Sequence, residues 1–358
     1  MNKIIEEDIK IILADKSIPW ERFRNKSVLI TGASGMLPVY MAYAILYLNR
    51  CQNYNTHLYA LVRNRDRAVE HFSDWINDEH FDMIVQDVSQ PIQVDAPVDF
   101  IIHAASQASP KYYSVDPVGT INANVLGTIN TLNLAKEKKS EGYLYFSTGE
   151  VYGIVPPEYF PFNEEMYGYV DLLNVRSCYA ESKRMGEQLC VAYHHQYGVP
   201  THMIRIFHTY GPCMRLDDRR VFADFTGNIL RNENIILRSE GGAVRPFCYV
   251  SDAVRAYFKV LLDGEEAAAY NIANTEEAVS IKELAEELVQ IYPEKHLSVI
   301  IQKDQSDIVT TAMKSPVERI LPDCSRIKEL GWKPVVKVKE GFKRTIKSLK
   351  EDNKNNNE

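Results

Sequence analysis

The chain has 358 residues, 45% of them apolar and 25% charged, with a formal net charge of −7. Those proportions describe a globular protein of one large or two modest domains, and the acidic balance argues against nucleic acid or an anionic membrane surface as the main partner. The longest nearly unbroken apolar run, Met36–Leu48, is too short to span a bilayer and contains Pro38.

The opening MNKIIEEDIK mixes acids with apolar residues and lacks a signal-peptide pattern. Residues 1–25 read as an N-terminal extension. Ser27–Thr31 (SVLIT) is a short β-branched run that stops at Gly32, and a helical pattern follows from Met36 to Asn49. Gly32 and Gly35 therefore sit between a strand and a helix, where glycine lets the backbone approach a pyrophosphate resting on the helix N-terminus. Pro38 stands where the third glycine of that fingerprint belongs; proline is tolerated in a first helical turn.

A second strand, His57–Val62, ends at Arg63. An acid there would bind a free ribose 2′-hydroxyl, whereas an arginine accommodates a 2′-phosphate or is a solvated basic turn, so NAD and NADP both stay open. Met83–Val85 and Phe100–Ala104 read as the third and fourth strands, and Asp87, after the third, meets an adenine or caps a helix. Residues 120–138 form a long helix and Tyr143–Ser147 a fifth strand. This alternation predicts an α/β fold, a doubly wound parallel sheet of Rossmann type, with ligands at the carboxyl ends of its strands.

The fifth strand runs into STGEVYG, which places Thr148 and Glu150 at that edge. A helix over Ser177–Tyr197 then carries Tyr179 and Lys183 on one face. A lysine ammonium beside a phenol favours the phenolate, which suits removal of a proton from a sugar hydroxyl. Beyond residue 190 the pattern loosens into short runs (Met203–Phe207, Ile235–Leu237, Phe247–Val250), then an amphipathic helix, Ile281–Ile291, capped by Ser280. The expected division is 1–190 for dinucleotide binding, 191–346 for a smaller α/β substrate lobe interleaved with it, and a disordered polar tail over 347–358. Six scattered cysteines without a CxxC pair read as reduced thiols of a cytoplasmic protein. His194 and His195 point to different faces and have no partners at ligand spacing, so no metal is expected.

The motifs TGASG (31–35), HAAS (103–106), STGEVYG (147–153), YAESK (179–183), RIFHTYGP (205–212) and RPFCYVSDAV (245–254) resemble the extended short-chain dehydrogenase/reductase family. This is the family of NAD-dependent nucleotide-sugar epimerases, dehydratases and decarboxylases. Within it the chain is most similar to the UDP-glucuronate decarboxylase branch, through ASQASPKYY, the segment 122–128 and the stretch 164–184. The resemblance implies that a dinucleotide touches Gly32, Ser34, Gly35, Met36, Leu37, Arg63, Asp87, Val88, Ala104, Ala105, Tyr179 and Lys183. It implies a base in Tyr179, a hydrogen bond from Thr148 to the sugar O4, and work around C5 by Glu150 and Arg245. Ser106, Arg205, His208 and Arg220 fall in segments that hold the nucleotide sugar. It further implies a homodimer built on the two long helices, and a role in supplying sugars for polysaccharides.

The chain departs from the branch at Gly149, usually serine, at His208, usually asparagine, and at Arg238, near an expected tyrosine. All three chemistries of the family open by oxidising the C4 hydroxyl. A 4,6-dehydratase then needs an acid for the C6 hydroxyl, and its usual Asp-Glu pair falls at Gly149-Glu150, where glycine has no proton to give. A 4-epimerase has no evident need of Glu150. A decarboxylase needs no C6 acid, only reprotonation at C5 and a cation for the carboxylate, for which Arg245 is suited. Decarboxylation is therefore the favoured reading, with epimerisation and dehydration as alternatives. A non-catalytic cofactor-binding regulator would be expected to lose Tyr179 or Lys183, and both are kept.

Overall fold

The computed structural model describes residues 1–218, 220–302 and 320–355. Helix α1 (Lys3–Leu13) leads into β1 (Ser27–Thr31), α2 (Met36–Gln52), β2 (His57–Val62), α3 (Arg65–Phe72), β3 (Phe81–Val85) and β4 (Phe100–His103). Next come α4 (Pro110–Val115), α5 (Pro117–Lys138), β5 (Gly142–Thr148), α6 (Ser177–Tyr197) and β6 (Thr201–Ile206). The remainder carries β7 (Thr209–Tyr210), α7 (Val221–Arg231), β8 (Ile235–Leu237), β9 (Val244–Arg245), β10 (Cys248–Tyr249), α8 (Val250–Asp263), β11 (Ala269–Ile272), β12 (Val279–Ser280), α9 (Ile281–Ile291) and β13 (Val299–Ile301). Two more helices, Ser325–Glu329 and Val338–Asn355, close the chain.

Seven strands form one parallel sheet in the order β11-β6-β5-β4-β1-β2-β3. β1 and β5 are buried along their whole length, as expected of strands covered by helices on both faces. The order reverses between β1 and β4, and this switch point opens a crevice at the carboxyl edge. The doubly wound α/β fold read from the sequence is the observed one. A cut at residue 190 would divide the sheet, however, because β6, α8 and β11 all lie beyond it.

The apolar run at 36–48 belongs to α2, whose residues Pro38–Leu48 are all buried. One side faces the sheet, and α1 and α8 cover the rest. No helix among the described residues is long and apolar enough to cross a membrane. The first 25 residues are tied into the fold at Asp8, a buried carboxylate that accepts hydrogen bonds from Tyr40 (2.9 Å), Tyr249 (2.7 Å) and Arg344 (2.7 Å). Ser280 and Glu283 form a reciprocal capping box on α9, at 3.1 and 2.7 Å.

Two element readings are corrected. The strand at 81–85 begins two residues before Met83. Residues 347–355 are not a disordered tail: the terminal helix runs to Asn355, anchored by buried Phe342, Thr345, Ile346 and Ser348. The Asn2 amide adds bonds to the Ser348 carbonyl (3.1 Å) and to Asp352 (2.9 Å). A polar composition conceals this, because the anchoring stripe lies earlier in the same helix. Residues 356–358 lie outside the described residues.

Candidate active site

A cavity of about 890 Å³ opens at the switch point. Buried behind its wall, Thr31 and His103, opposite each other in β1 and β4, share a 2.8 Å hydrogen bond. The Thr31 hydroxyl also accepts from the Ala104 and Ala105 N–H groups, at 3.2 and 3.1 Å. His103 reaches on to Thr128 of α5 at 3.1 Å, and burial pushes its pKa down to about 3, so it serves as a neutral strut. Gly32 takes φ +65°, and a Cβ there would come within 2.8 Å of the Ala105 backbone. Only glycine lets the two loops lie this close. Gly35 is the N-cap of α2, and Pro38 lies in its first turn. The result is a backbone cradle at a helix N-terminus, suited to a pyrophosphate.

Of the residues singled out in the sequence, Gly32, Ser34, Gly35, Met36, Leu37, Arg63, Asp87, Val88, Ala104, Ala105, Ser106, Thr148, Glu150, Tyr179, Lys183, His208 and Arg220 all line this cavity. The cradle and the unpartnered, buried Ser106 hydroxyl fit a dinucleotide and a polar ligand beside it. The Asp87 carboxylate accepts from the Ser89 N–H at 2.9 Å, so it holds a turn while facing the cavity.

Thr148 ends β5, and Tyr179 and Lys183 face it from the first turns of α6. Tyr179 is 6% exposed and stacks on Tyr113, with centroids 4.8 Å apart and planes at 16°. Burial pushes the Tyr179 phenol up to about 12, opposed by its hydrogen bond with Thr148. Lys183 is 2% exposed, donates to the Phe146 carbonyl at 2.6 Å, and is brought down to about 7 by burial. The expectation that this lysine lowers the phenol is corrected for the protein on its own: both groups are governed by desolvation, each toward its neutral form.

Glu150 is held by Arg176, whose Nη1 and Nη2 donate to the two carboxylate oxygens at 2.8 and 2.9 Å. Sequence reading missed both Arg176 and Tyr113. They meet Glu150 and Tyr179 only through tertiary packing, and no spacing rule links residue 176 to 150 or 113 to 179.

Arg205 is a correction. It is 1% exposed and does not line the cavity; its guanidinium donates to Glu187 at 2.9 and 2.7 Å, to the Tyr152 hydroxyl at 2.9 Å and to the Glu164 carbonyl at 2.7 Å. With a fifth bond to the Tyr167 hydroxyl at 3.3 Å, all five N–H donors are taken and none is left for a diphosphate. Arg245 also lies off the cavity wall, buried on β9, where its charge acts on His208. His208 takes φ +28°, leaves Nδ1 without a partner, and is pushed down to about 3 by burial, then by Arg245 and Arg220. It faces the cavity as a neutral ring, a hydrogen-bonding group without charge.

Gly149 has a packing reason. A Cβ at this position would run into the ring of Phe207, which is buried against Tyr152 and Phe162.

A model of the NAD dependent epimerase/dehydratase family matches residues 28–273. The chain is 36% identical over 320 residues to UDP-glucuronic acid decarboxylase 6 of Arabidopsis thaliana, covering 89% of this chain and 87% of that one. It is 35% identical over 327 residues to UDP-glucuronic acid decarboxylase 1 of Danio rerio, covering 90% and 72%. Among solved structures, UDP-glucose 4-epimerase from Thermotoga maritima with UDP-glucose superposes with TM-score 0.75 at 21% identity, over 91% of this chain and 99% of that one. UDP-glucuronic acid 4-epimerase from Bacillus cereus, in complex with UDP-glucuronic acid and NAD, gives TM-score 0.72 at 21% identity with the same coverage.

Two measurements test this geometry. Gly149→Ser is expected to lower stability by about 1–3 kcal/mol through overpacking against Phe207. Adding Phe207→Leu in the same chain is expected to restore most of the loss, read from urea midpoints. Lys183 binds its proton less tightly folded, near 7, than unfolded, near 10.5. Its penalty on folding is therefore complete below pH 7 and is relieved as pH rises toward 10.5. Raising the pH from 7 to 9 should add roughly 2 kcal/mol to the stability of the ligand-free protein relative to Lys183→Met, which lacks this dependence. Parallel stability curves for the two proteins would contradict it.

Proposed function

The chain belongs to the NAD-dependent epimerase/dehydratase family, and from that premise we propose that it decarboxylates a UDP-hexuronate such as UDP-glucuronate through a transient 4-keto sugar. A nicotinamide adenine dinucleotide, held on the Gly32–Leu37 cradle and on Asp87, Val88, Ala104 and Ala105, supplies hydride removal and return at the sugar C4 when bound. Tyr179 takes the proton from the C4 hydroxyl while Thr148 hydrogen-bonds the same oxygen. Lys183, buried one turn along α6 from Tyr179, holds the nicotinamide ribose next to it. The resulting ketone makes the C5 carboxylate a β-keto acid. The C5–C6 bond breaks, carbon dioxide leaves, its electron pair is taken up as a C4 enolate, and C5 is reprotonated before hydride returns to C4.

The observation that carries this reading is the acid-poor edge after β5. Gly149 has no side chain and is kept so by Phe207, while Glu150 is engaged by Arg176 in two hydrogen bonds. Neither is placed to protonate a leaving C6 hydroxyl, so dehydration lacks its acid. Arg245 and Arg220 give this end of the cavity a positive field that favours a substrate carboxylate and diphosphate. The 36% identity to named decarboxylases over most of both chains supports the same choice over 4-epimerisation.

Two further attributes belong to this proposal. The protein acts in the cytoplasm, in keeping with six free cysteines. It is a homodimer through α5 and α6, which lie side by side through the Asn124–Ser182 and Tyr193–Asn133 hydrogen bonds and expose Val118, Ile121, Leu126, Met185 and Val191. A large exposed apolar face of this kind is stabilised by a second copy.

Mass spectrometry after incubation with UDP-glucuronate is expected to show loss of carbon dioxide without net consumption of dinucleotide. Tyr179→Phe should slow this by roughly 10²–10⁴-fold. Loss of water from a neutral nucleotide sugar, with UDP-glucuronate unchanged, would overturn the reading. Sedimentation velocity should give a dimer near twice the 41.0 kDa chain mass. Leu126→Arg with Val191→Arg should give a monomer, and a monomeric parent protein would remove the dimer.

A further inference from the structure

Two arginine–glutamate pairs flank the Tyr179 side of the cavity, and they differ in what surrounds them. Arg205–Glu187 is sealed: its side chains are 1% and 10% exposed, and every guanidinium donor is taken. Arg176–Glu150 opens on the cavity: both residues line it, and their side chains are 21% and 36% exposed. Its guanidinium is also used on one edge only. Nη1 and Nη2 donate to Glu150, whereas the buried Nε–H has no partner among the described residues. A sealed pair holds the frame, but a pair open to solvent is held weakly and can be exchanged for a ligand of the same charge. The unpaired donor adds to this, because a buried N–H without an acceptor costs free energy that an arriving carboxylate recovers.

The place of this pair decides which part of a ligand it meets. Glu150 follows Thr148 by two residues, and its backbone N–H donates to the Thr148 hydroxyl at 3.3 Å. Arg176 precedes Tyr179 by three, and its guanidinium carbon lies 5.8 Å from the centroid of Tyr113, the ring that stacks on Tyr179. In a hexuronate the carboxylate hangs on C5, the carbon next to C4. With O4 on Thr148 and Tyr179, that carboxylate falls on the groups that flank them, and Arg176 is the flanking cation. Other arginines are placed elsewhere. Arg63 and Arg67 follow β2, three strand spacings or about 14 Å from β5. Arg220 pairs with Asp218 and also lines a smaller cavity beside the main one. Arg245 lies behind the wall and donates to the Val244 carbonyl at 2.9 Å.

We propose that Arg176 is the receptor for the substrate's C6 carboxylate, and that Glu150 is an internal carboxylate that occupies this receptor until the substrate arrives. The inference rests on the reading that the substrate is a UDP-hexuronate. A guanidinium binds a carboxylate through two parallel hydrogen bonds, so the substrate takes the fork that Glu150 leaves. Glu150, already partly exposed, turns out into the solvent of the cavity. A sugar with a neutral C6 hydroxyl cannot make this exchange and leaves Glu150 on Arg176. The pair thereby selects for a charged C6 by an affinity difference.

Binding to the dinucleotide-loaded protein is measured by calorimetry, in a Tyr179→Phe background so that substrate is not consumed. UDP-glucuronate is expected to bind about 10- to 100-fold tighter than UDP-glucose. Arg176→Gln should erase that preference and leave the affinity for UDP-glucose within about twofold of its former value. Arg176→Lys, which keeps the charge without the fork, should retain only part of it. Glu150→Gln removes the competing charge and should tighten UDP-glucuronate alone, while Arg220→Gln should weaken both sugars alike. Because Arg176→Gln strands Glu150, the double variant Arg176→Gln, Glu150→Gln is measured beside it and should show the same loss of preference. An Arg176→Gln protein that keeps the preference overturns the proposal. Single and double variants that weaken both sugars alike overturn it too, since that is the mark of a purely structural role. Weaker binding of UDP-glucuronate by Glu150→Gln overturns the exchange. Failure of the protein with Arg176 and Glu150 intact to bind UDP-glucuronate would instead refute the underlying reading of the substrate.

Discussion

The buried carboxylate of Glu187 sets the geometry on which the rest of the site depends. It lies four residues after Lys183 and eight after Tyr179, on the same side of α6. One oxygen accepts from Ser147 on β5 at 2.5 Å and from the Nε of Arg205 at 2.9 Å; the other accepts from Arg205 Nη2 at 2.7 Å. Ser147 and Arg205 are themselves opposite each other in β5 and β6. One side chain thus locks α6 to the strand that carries Thr148 and to its neighbour. Removing either partner would leave a buried charge uncompensated, at a cost of about 3–5 kcal/mol. Gly186, next in line, is what permits the approach, since a Cβ there would collide with the Tyr145 hydroxyl. The network continues from Arg205 through Tyr152 to Asn271 on β11 (2.7 Å), so a strand from near the end of the chain is held to the same point.

Much of this was legible from the residues in order. Strand–helix alternation, the glycine pair after β1 and the Tyr-x3-Lys spacing are local signals, and each landed on the element that the pattern called for. Contacts made across the fold were not legible. Arg176 and Tyr113 act on Glu150 and Tyr179 from other elements, and nothing in their own neighbourhoods marks them. Arg205 shows the opposite failure. A basic residue beside a motif reads the same whether it will face a phosphate or a buried glutamate, and only the position of Glu187, a turn beyond the Tyr-Lys pair on α6, decides it. The terminal helix was hidden because polar composition over its last residues outweighed the apolar stripe at Phe342 and Ile346 that anchors it.

The electrostatics of the ligand-free site follow from how thoroughly it is sealed. Tyr179, Lys183, His103 and His208 are all moved toward their neutral forms, and for each the largest cause is desolvation. The protein alone therefore favours the uncharged form of each of these four groups. Positive charge lies on Arg63, Arg67, Arg176 and Arg220 along the cavity wall and on Arg245 behind it.

The two ends of the cavity also carry information of different kinds. In the proposed reading, the cradle from Gly32 to Leu37, the Thr31–His103 strut and the Tyr179–Lys183 pair would serve any reaction that oxidises a sugar at C4, so they do not distinguish one product from another. The choice among products falls to a few positions after β5, where a missing side chain matters as much as those present. Gly149 withholds an acid, Phe207 fills the space that acid would need, and Arg176 occupies the one carboxylate that is left. With no group to expel the C6 oxygen, a 4-keto hexuronate has its easiest outlet in breaking the C5–C6 bond. In the proposed reading the contact with Phe207 matters because it keeps residue 149 without a side chain that could take part in that choice.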